Sequence, residues 1–258
     1  MKNTLLKLTL RDIRSALNLR TFLIWGGMAG IEVFFFFASG GKTKLIKENM
    51  VEFMALFLPQ IIFGAWAVLS VYFNLVSSDR EHNVLDCILC SGVTKRRVFL
   101  AKMITTVVVS LLLSFIYLFP ITVVIISLSD ISNAMILVQY LLPLWGYIMV
   151  FAALGVMISV LARSSKAELI WSLALGLILM PRFFMLIVEG LGSVFHWSEG
   201  LISGVSMIAP GVMMNALADL TNTSNLLTAA IGFSAGVMVL FIIAYSVFCG
   251  QDEYNYGE

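Results

Sequence analysis

Histidine, cysteine and charge are all scarce in this chain. Of 258 residues, 2 are histidine and 3 are cysteine, and charged side chains make up only 12%. Three cysteines, Cys87, Cys90 and Cys249, are too few for a disulfide framework and read as reduced thiols. His82 and His196, without an HExxH pair, leave a metalloenzyme or an embedded protease little to work with. A net charge of +1 lacks the concentrated basic surface that nucleic acid demands. Clean alternation at period two is missing as well, which argues against half-buried strands. The N-terminus carries charges but no short apolar segment followed by a small-residue cleavage site. No removable signal peptide is expected, and the first membrane helix would serve as the targeting signal.

What is present is hydrocarbon: 60% of the residues are hydrophobic and the mean hydropathy is +0.99. Several apolar runs exceed the ~18 residues that mark a membrane-spanning helix. The fold class expected is an all-α polytopic membrane protein forming one transmembrane domain over residues 1–258. Six spans are read, at about Leu19–Ser39, Phe53–Val76, Phe99–Ser129, Ala134–Ala162, Ala167–Val188 and Leu226–Phe248. Ahead of them, Leu6, Leu10, Ile13 and Leu17 repeat at helical spacing. Lys7, Arg11, Arg14 and Asn18 are displaced about 100° around the axis. That pattern predicts an interfacial amphipathic helix over residues 1–18.

Lys and Arg set the orientation. With a cytoplasmic N-terminus, twelve of the 16 fall on the cytoplasmic side, and only Lys42, Lys44, Lys47 and Arg182 lie opposite. Both termini are then cytoplasmic. Residues 189–225 are external, too polar and Gly-broken for an ordinary span and too apolar for a solvated loop. They are expected to form short re-entrant helices in the outer leaflet, or a loop folded over the span ends, with His196 and Trp197 at the interface. The most highly charged loop, "SSDREHNVLDCILCSGVTKRRVFLAKM" from Ser77 to Met103, is cytoplasmic. In it Val84, Leu85, Ile88 and Leu89 make an apolar stripe, with a polar face from Asp79 to Asn83 and Asp86. Periodicity alone leaves two readings open: a helix that merely links two spans, or a docking helix for a cytoplasmic partner.

Three motifs are decoys. "GGKT" at Gly40–Thr43 lacks the strand and the first glycine of a phosphate loop. The CxxC of Cys87 and Cys90 has no second pair to complete a metal site, and reads as small buried thiols. "GFSAG" at Gly232–Gly236 matches a hydrolase elbow in letters, but sits in an apolar helix where it reads as a GxxxG packing motif.

The loop resembles the first cytoplasmic loop of permease subunits in the ABC-2 class of ABC transporters. There an acidic triplet leads into a leucine-containing helix, a "VS" or "VT" turn, a basic pair and a Lys opening the third span. Glu81, Leu85, Asp86, Val93, Thr94, Arg96, Arg97 and Lys102 occupy the corresponding places. His82 and Asn83 replace the usual Lys-Gly, and Gly92 stands where Pro is frequent. "GVMISVLARSSKAEL", with Gly155, Ser159, Arg163, Ser164 and Ala167, is similar to the family's junction between the fourth and fifth spans. "IAPGVMMNALADL" is a weaker echo of the short helix before its last span.

The resemblance implies a permease subunit of an exporter, paired with a second copy or a homologous permease in the lipid bilayer of a bacterial plasma membrane. A separate cytoplasmic ABC ATPase would supply energy at the coupling loop, residues 79–97. No cofactor and no catalytic residue are then expected in this chain, because ATP and Mg belong to the partner. The family's first and fifth spans face the dimer interface, which makes Glu32 and Arg182 candidates for the translocation pathway. The alternative for those two is structural, because an ionised group at mid-helix costs about 2.5–3.5 kcal/mol and seeks water or a partner. Glu168, at the start of the fifth span, reads equally well as a first-turn acid. A non-transporting immunity or sensor subunit with the same fold is the alternative for the whole chain.

Overall fold

The computed structural model describes residues 2–48, 53–72, 75–128, 131–162, 164–206, 210 and 223–250. Among the described residues every regular element is helical. The first helix, α1 (Lys2–Ala16), breaks at Asn18. Its side-chain oxygen accepts the Thr21 N–H at 3.0 Å and so caps α2 (Leu19–Ala38). Gly40, at φ 77°, turns the chain out of α2 in a left-handed conformation that glycine takes without strain. At Gly41 a Cβ would meet the Phe36 ring at 2.6 Å. The "GGKT" letters are thus a helix stop leading into α3 (Gly41–Glu48).

Next come α4 (Phe53–Tyr72), the short helices α5 (Ser77–Glu81) and α6 (Val84–Cys90), and two long helices, α7 (Lys95–Leu128) and α8 (Ile131–Leu161). At 1.5 Å per residue the 34 residues of α7 span about 50 Å, well beyond the ~30 Å of hydrocarbon, so one end projects into water. The projecting end carries Lys95, Arg96 and Arg97. The chain closes with α9 (Ser165–Ile178), α10 (Pro181–Val194), α11 (Glu199–Ser206) and α12 (Thr223–Gly250).

Five helical segments are long and apolar enough to cross a membrane, or six if the bent pair α9 and α10 counts as one. The chain is therefore a multi-pass helical membrane protein. The crossing part of α8 is 72% buried within the chain, against 33% for α2 and 22% for α12, so α8 is central and those two are peripheral. Aromatic rings fill the centre: Tyr117 of α7 meets Trp25 of α2 edge-on at 6.3 Å and stacks on Phe57 of α4 at 6.2 Å. Buried hydroxyls reach backbone carbonyls, as from Tyr72 to Thr106 and from Tyr147 to Gln60, both at 3.1 Å. Such bonds hold helices where burial of apolar surface alone gives no preference over lipid.

The expected fifth span, Ala167–Val188, is not one helix. The chain bends by 71° between α9 and α10. Met180 precedes Pro181 and is extended, as a residue before proline prefers, and Pro181 occupies the first turn of α10. The 14 residues of α9 reach about 21 Å, short of a full crossing. The second helix of the bent pair accordingly starts at Pro181, ahead of the boundary expected at 189. The chain folds back as α11 packs on α10, with Ile202 against Gly192 and the Trp197 N–H donated to the Gly192 carbonyl at 2.9 Å. The remainder of the 189–225 segment, apart from Pro210 and the start of α12, lies outside the described residues, as does Arg163.

Candidate functional site

The loop between α4 and α7 is bound to four other helices by polar side chains. On α1, Thr9, Asp12 and Ala16 form a buried line against α7, while Leu6 and Leu10 are exposed. On an ideal helix these two lines lie roughly 100° apart. The leucine stripe thus stays available to lipid while a polar line faces the protein. Four charges meet there. Lys102 Nζ lies 3.0 Å from Asp12 and 2.6 Å from Asp79, and Arg11 lies 2.6 Å and 2.7 Å from the same two acids. The quartet is neutral in sum, and the side chains of Lys102 and Asp12 are 3% and 4% exposed. Burial pulls the Arg11 guanidinium down, but Asp12 and then Asp79 outweigh it, and the net shift is upward. Lys102 also donates to the Leu75 carbonyl at 2.7 Å, fixing the end of the turn out of α4.

A second set of bonds reaches α8 and α9. Ser159 Oγ of α8 accepts the N–H groups of Val76 and Ser77 at 2.9 and 3.1 Å, satisfying two of the orphan donors that open α5. Ser77 donates its hydroxyl to the buried Glu168 carboxylate of α9. Glu168 is therefore a first-turn acid with a specific partner in the loop. Arg80 donates to the Ala162 carbonyl beyond the end of α8 at 3.2 Å. Glu81 accepts the N–H and the hydroxyl of Ser165 at 2.9 and 2.5 Å. These two bonds hold the Glu81 carboxyl below the usual glutamate range and cap the opening turn of α9 beside Ser164.

The expected single loop helix is two helices, split at Asn83, whose φ of 55° is left-handed. Asparagine is one of the few residues besides glycine that tolerates that conformation. At the second turn Gly92 has φ 83°. Proline, fixed near −65°, cannot adopt it, so this turn differs in kind from a Pro turn. Leu85 points inward, with Ile88 and Leu89 half-buried beside it. Cys87 and Cys90 are exposed, contrary to the expectation of buried thiols. They sit on the side of α6 away from Leu85 and Leu89. Asp86, Thr94 and Arg96 are exposed, Val93 and Arg97 partly so. The Thr94 carbonyl accepts the N–H of Arg97 at 2.9 Å and starts α7.

The two pathway candidates lie apart. Glu32 of α2 is fully buried beside Tyr117, and neither carboxyl oxygen has a hydrogen-bond partner. Arg182 is exposed in the first turn of α10. The structure therefore makes no Glu32–Arg182 pair, and it places Glu32 on the inward face of its helix. The side-chain amide of Gln60 and the Trp25 indole N–H are likewise buried and unpartnered. Among the described residues no group of His, Cys, Asp and Glu is arranged to hold a metal. "GFSAG" lies within helix α12, and a Cβ at Gly236 would meet open space, so that glycine makes no close packing within the chain.

Asp12 and Ser165 were not singled out by the sequence, and Asp79 only as part of the polar face of the loop. Asp12 and Asp79 are 67 positions apart, and what joins them is the packing of α1 on α7. The class defined by these features is a multi-pass helical membrane protein with a braced polar loop at one end. No family model and no curated protein matches the chain.

Proposed function

We propose that the chain is the membrane-spanning subunit of an exporter, similar to ABC-2 permeases, driven by a separate cytoplasmic ATPase that carries ATP and Mg. The observation that carries this reading is the bracing of the loop. A push on α5 and α6 passes through Asp79 to α1 and α7, through Ser77 and Arg80 to α8 and α9, and through Glu81 to the first turn of α9. A merely linking loop has no need for four anchors. Within this reading Asp86, Thr94 and Arg96 meet the ATPase, Leu85 seats α6 on the bundle, and Glu81 transmits displacement to α9. The exposed apolar faces of α2 and α9, with Phe34, Ile170 and Leu173 among them, suit a second permease copy. Substrates are amphipathic or hydrophobic, the membrane is a bacterial plasma membrane, and both termini are cytoplasmic.

Charge reversal at the exposed face of the loop tests it. Asp86→Lys with Arg96→Glu should abolish co-purification of an ATPase subunit while the protein still inserts and folds, because complementarity at an interface guides register. Unchanged co-purification would remove the loop from the coupling role. An ATPase that binds but drives no export would favour the immunity or sensor alternative.

A further inference from the structure

Two cavities adjoin one another at the end of the bundle that carries the loop. The larger, about 250 Å³, has a mostly polar wall that includes Ser15, Asn18, Arg20, Thr21, Ser70 and Ser78. The smaller, about 40 Å³, is mostly apolar and runs between α4 and α9 along Trp66, Leu69, Leu169 and Leu173. Arg20 and Ser70 belong to both walls, so the polar cavity and the apolar groove adjoin at these two residues. Ser172 lines the groove too, 5% exposed, and its hydroxyl has no hydrogen-bond partner. A buried hydroxyl is ordinarily paired, so this one marks a place where a ligand acceptor fits. No Asp or Glu lines either cavity among the described residues.

We propose that this composite groove holds one anionic phospholipid. Its phosphate lies against Arg20 and the first turn of α2, where guanidinium and helix dipole both favour negative charge. The Ser172 hydroxyl donates to an ester carbonyl, and the first acyl carbons follow Trp66, Leu69 and Leu173. A free phosphate would leave the groove and Ser172 unused, and a zwitterionic phospholipid would bring a second cation, its headgroup ammonium, beside Arg20. The flanking surface is apolar and exposed, with Leu19 at 75% and Leu23 at 68%, as a lipid-facing site requires. Because Ser78 of α5 is in the wall, the bound headgroup touches the same loop that the charged quartet braces.

Native mass spectrometry and thermal unfolding of the purified full chain test the site, with phosphatidylglycerol, phosphatidylcholine or glycerol 3-phosphate added. The expected result is one phosphatidylglycerol retained per chain, a raised Tm with that lipid alone, and a loss of about tenfold in affinity for Arg20→Gln. Arg20→Lys should keep most of the binding, because it keeps the charge. If Arg20→Gln does not fold, Ser70→Leu, which fills the neck between the cavities without changing charge, is read instead with the same expected loss. Equal retention of the two lipids, undiminished phosphatidylglycerol binding by Arg20→Gln or Ser70→Leu, or equal protection by glycerol 3-phosphate would each overturn the proposal.

Discussion

Replacing Lys102 by Met removes an ammonium and keeps most of the stem. Asp12, with a side chain 4% exposed, and Asp79, at 17%, would then share Arg11 alone, itself 37% exposed. Breaking a buried ion pair by removing one partner costs about 3–5 kcal/mol, because the remaining charge stays desolvated. Arg11 still lies 2.6 and 2.7 Å from the two acids, which points to the lower end, about 3 kcal/mol. Adding Asp79→Asn to Lys102→Met leaves one Arg and one Asp, neutral again, so the double variant should recover at least ~1 kcal/mol relative to the sum of the singles. Denaturant titration of the three variants and the parent in mixed micelles gives all four corners of the cycle. A loss below ~1 kcal/mol for Lys102→Met, or strict additivity, would refute the reading that the quartet braces the loop.

Gly176→Ala should destabilise by about 1–3 kcal/mol, since its Cβ would stand 2.4 Å from the Trp66 ring, and thermal unfolding will show it. Glu32→Gln with Arg182→Gln should be additive within ~0.5 kcal/mol in the same assay, because the two side chains share no contact. A coupling above that would mean the pair forms after all. The carboxyl of Glu81 is depressed in the folded state. Protection of the Ser165 amide from hydrogen exchange should therefore be full above the ordinary glutamate value of 4.5 and lost as pH falls through the lower folded value. In Glu81→Gln that protection should be weakened at every pH, and a pH-independent parent profile would contradict the cap.

The apolar runs alone locate α2, α7, α8 and α12, because spans are set by length and hydropathy. The break at Met180–Pro181 escapes the same reading, since the residues on both sides are apolar and a window averages across the bend. The "MPR" letters carried the signal: an extended residue before proline, and proline in a first turn. The exposure of Cys87 and Cys90 departs from the expected burial for a different reason. On an ideal helix Cys87 lies about 160° from both Leu85 and Leu89, and Cys90 about 140° from Leu85 and about 100° from Leu89, so counting angles would have placed both away from that buried line. The charged quartet was not legible at all. Asp12 falls on neither stripe of α1, and its choice of Lys102 depends on how α1 lies across α7.

The coupling reading requires the α5–α6 loop to face the cytoplasm, and the native thiols make that measurable without a substitution. Cys87 and Cys90 are exposed on α6. A membrane-impermeant maleimide applied to intact cells should leave both unlabelled, and the same reagent after permeabilisation should label both, with peptide mass spectrometry reading the sites. Labelling of Cys87 and Cys90 in intact cells would place the loop outside, beyond the reach of any cytoplasmic ATPase, and would contradict the account.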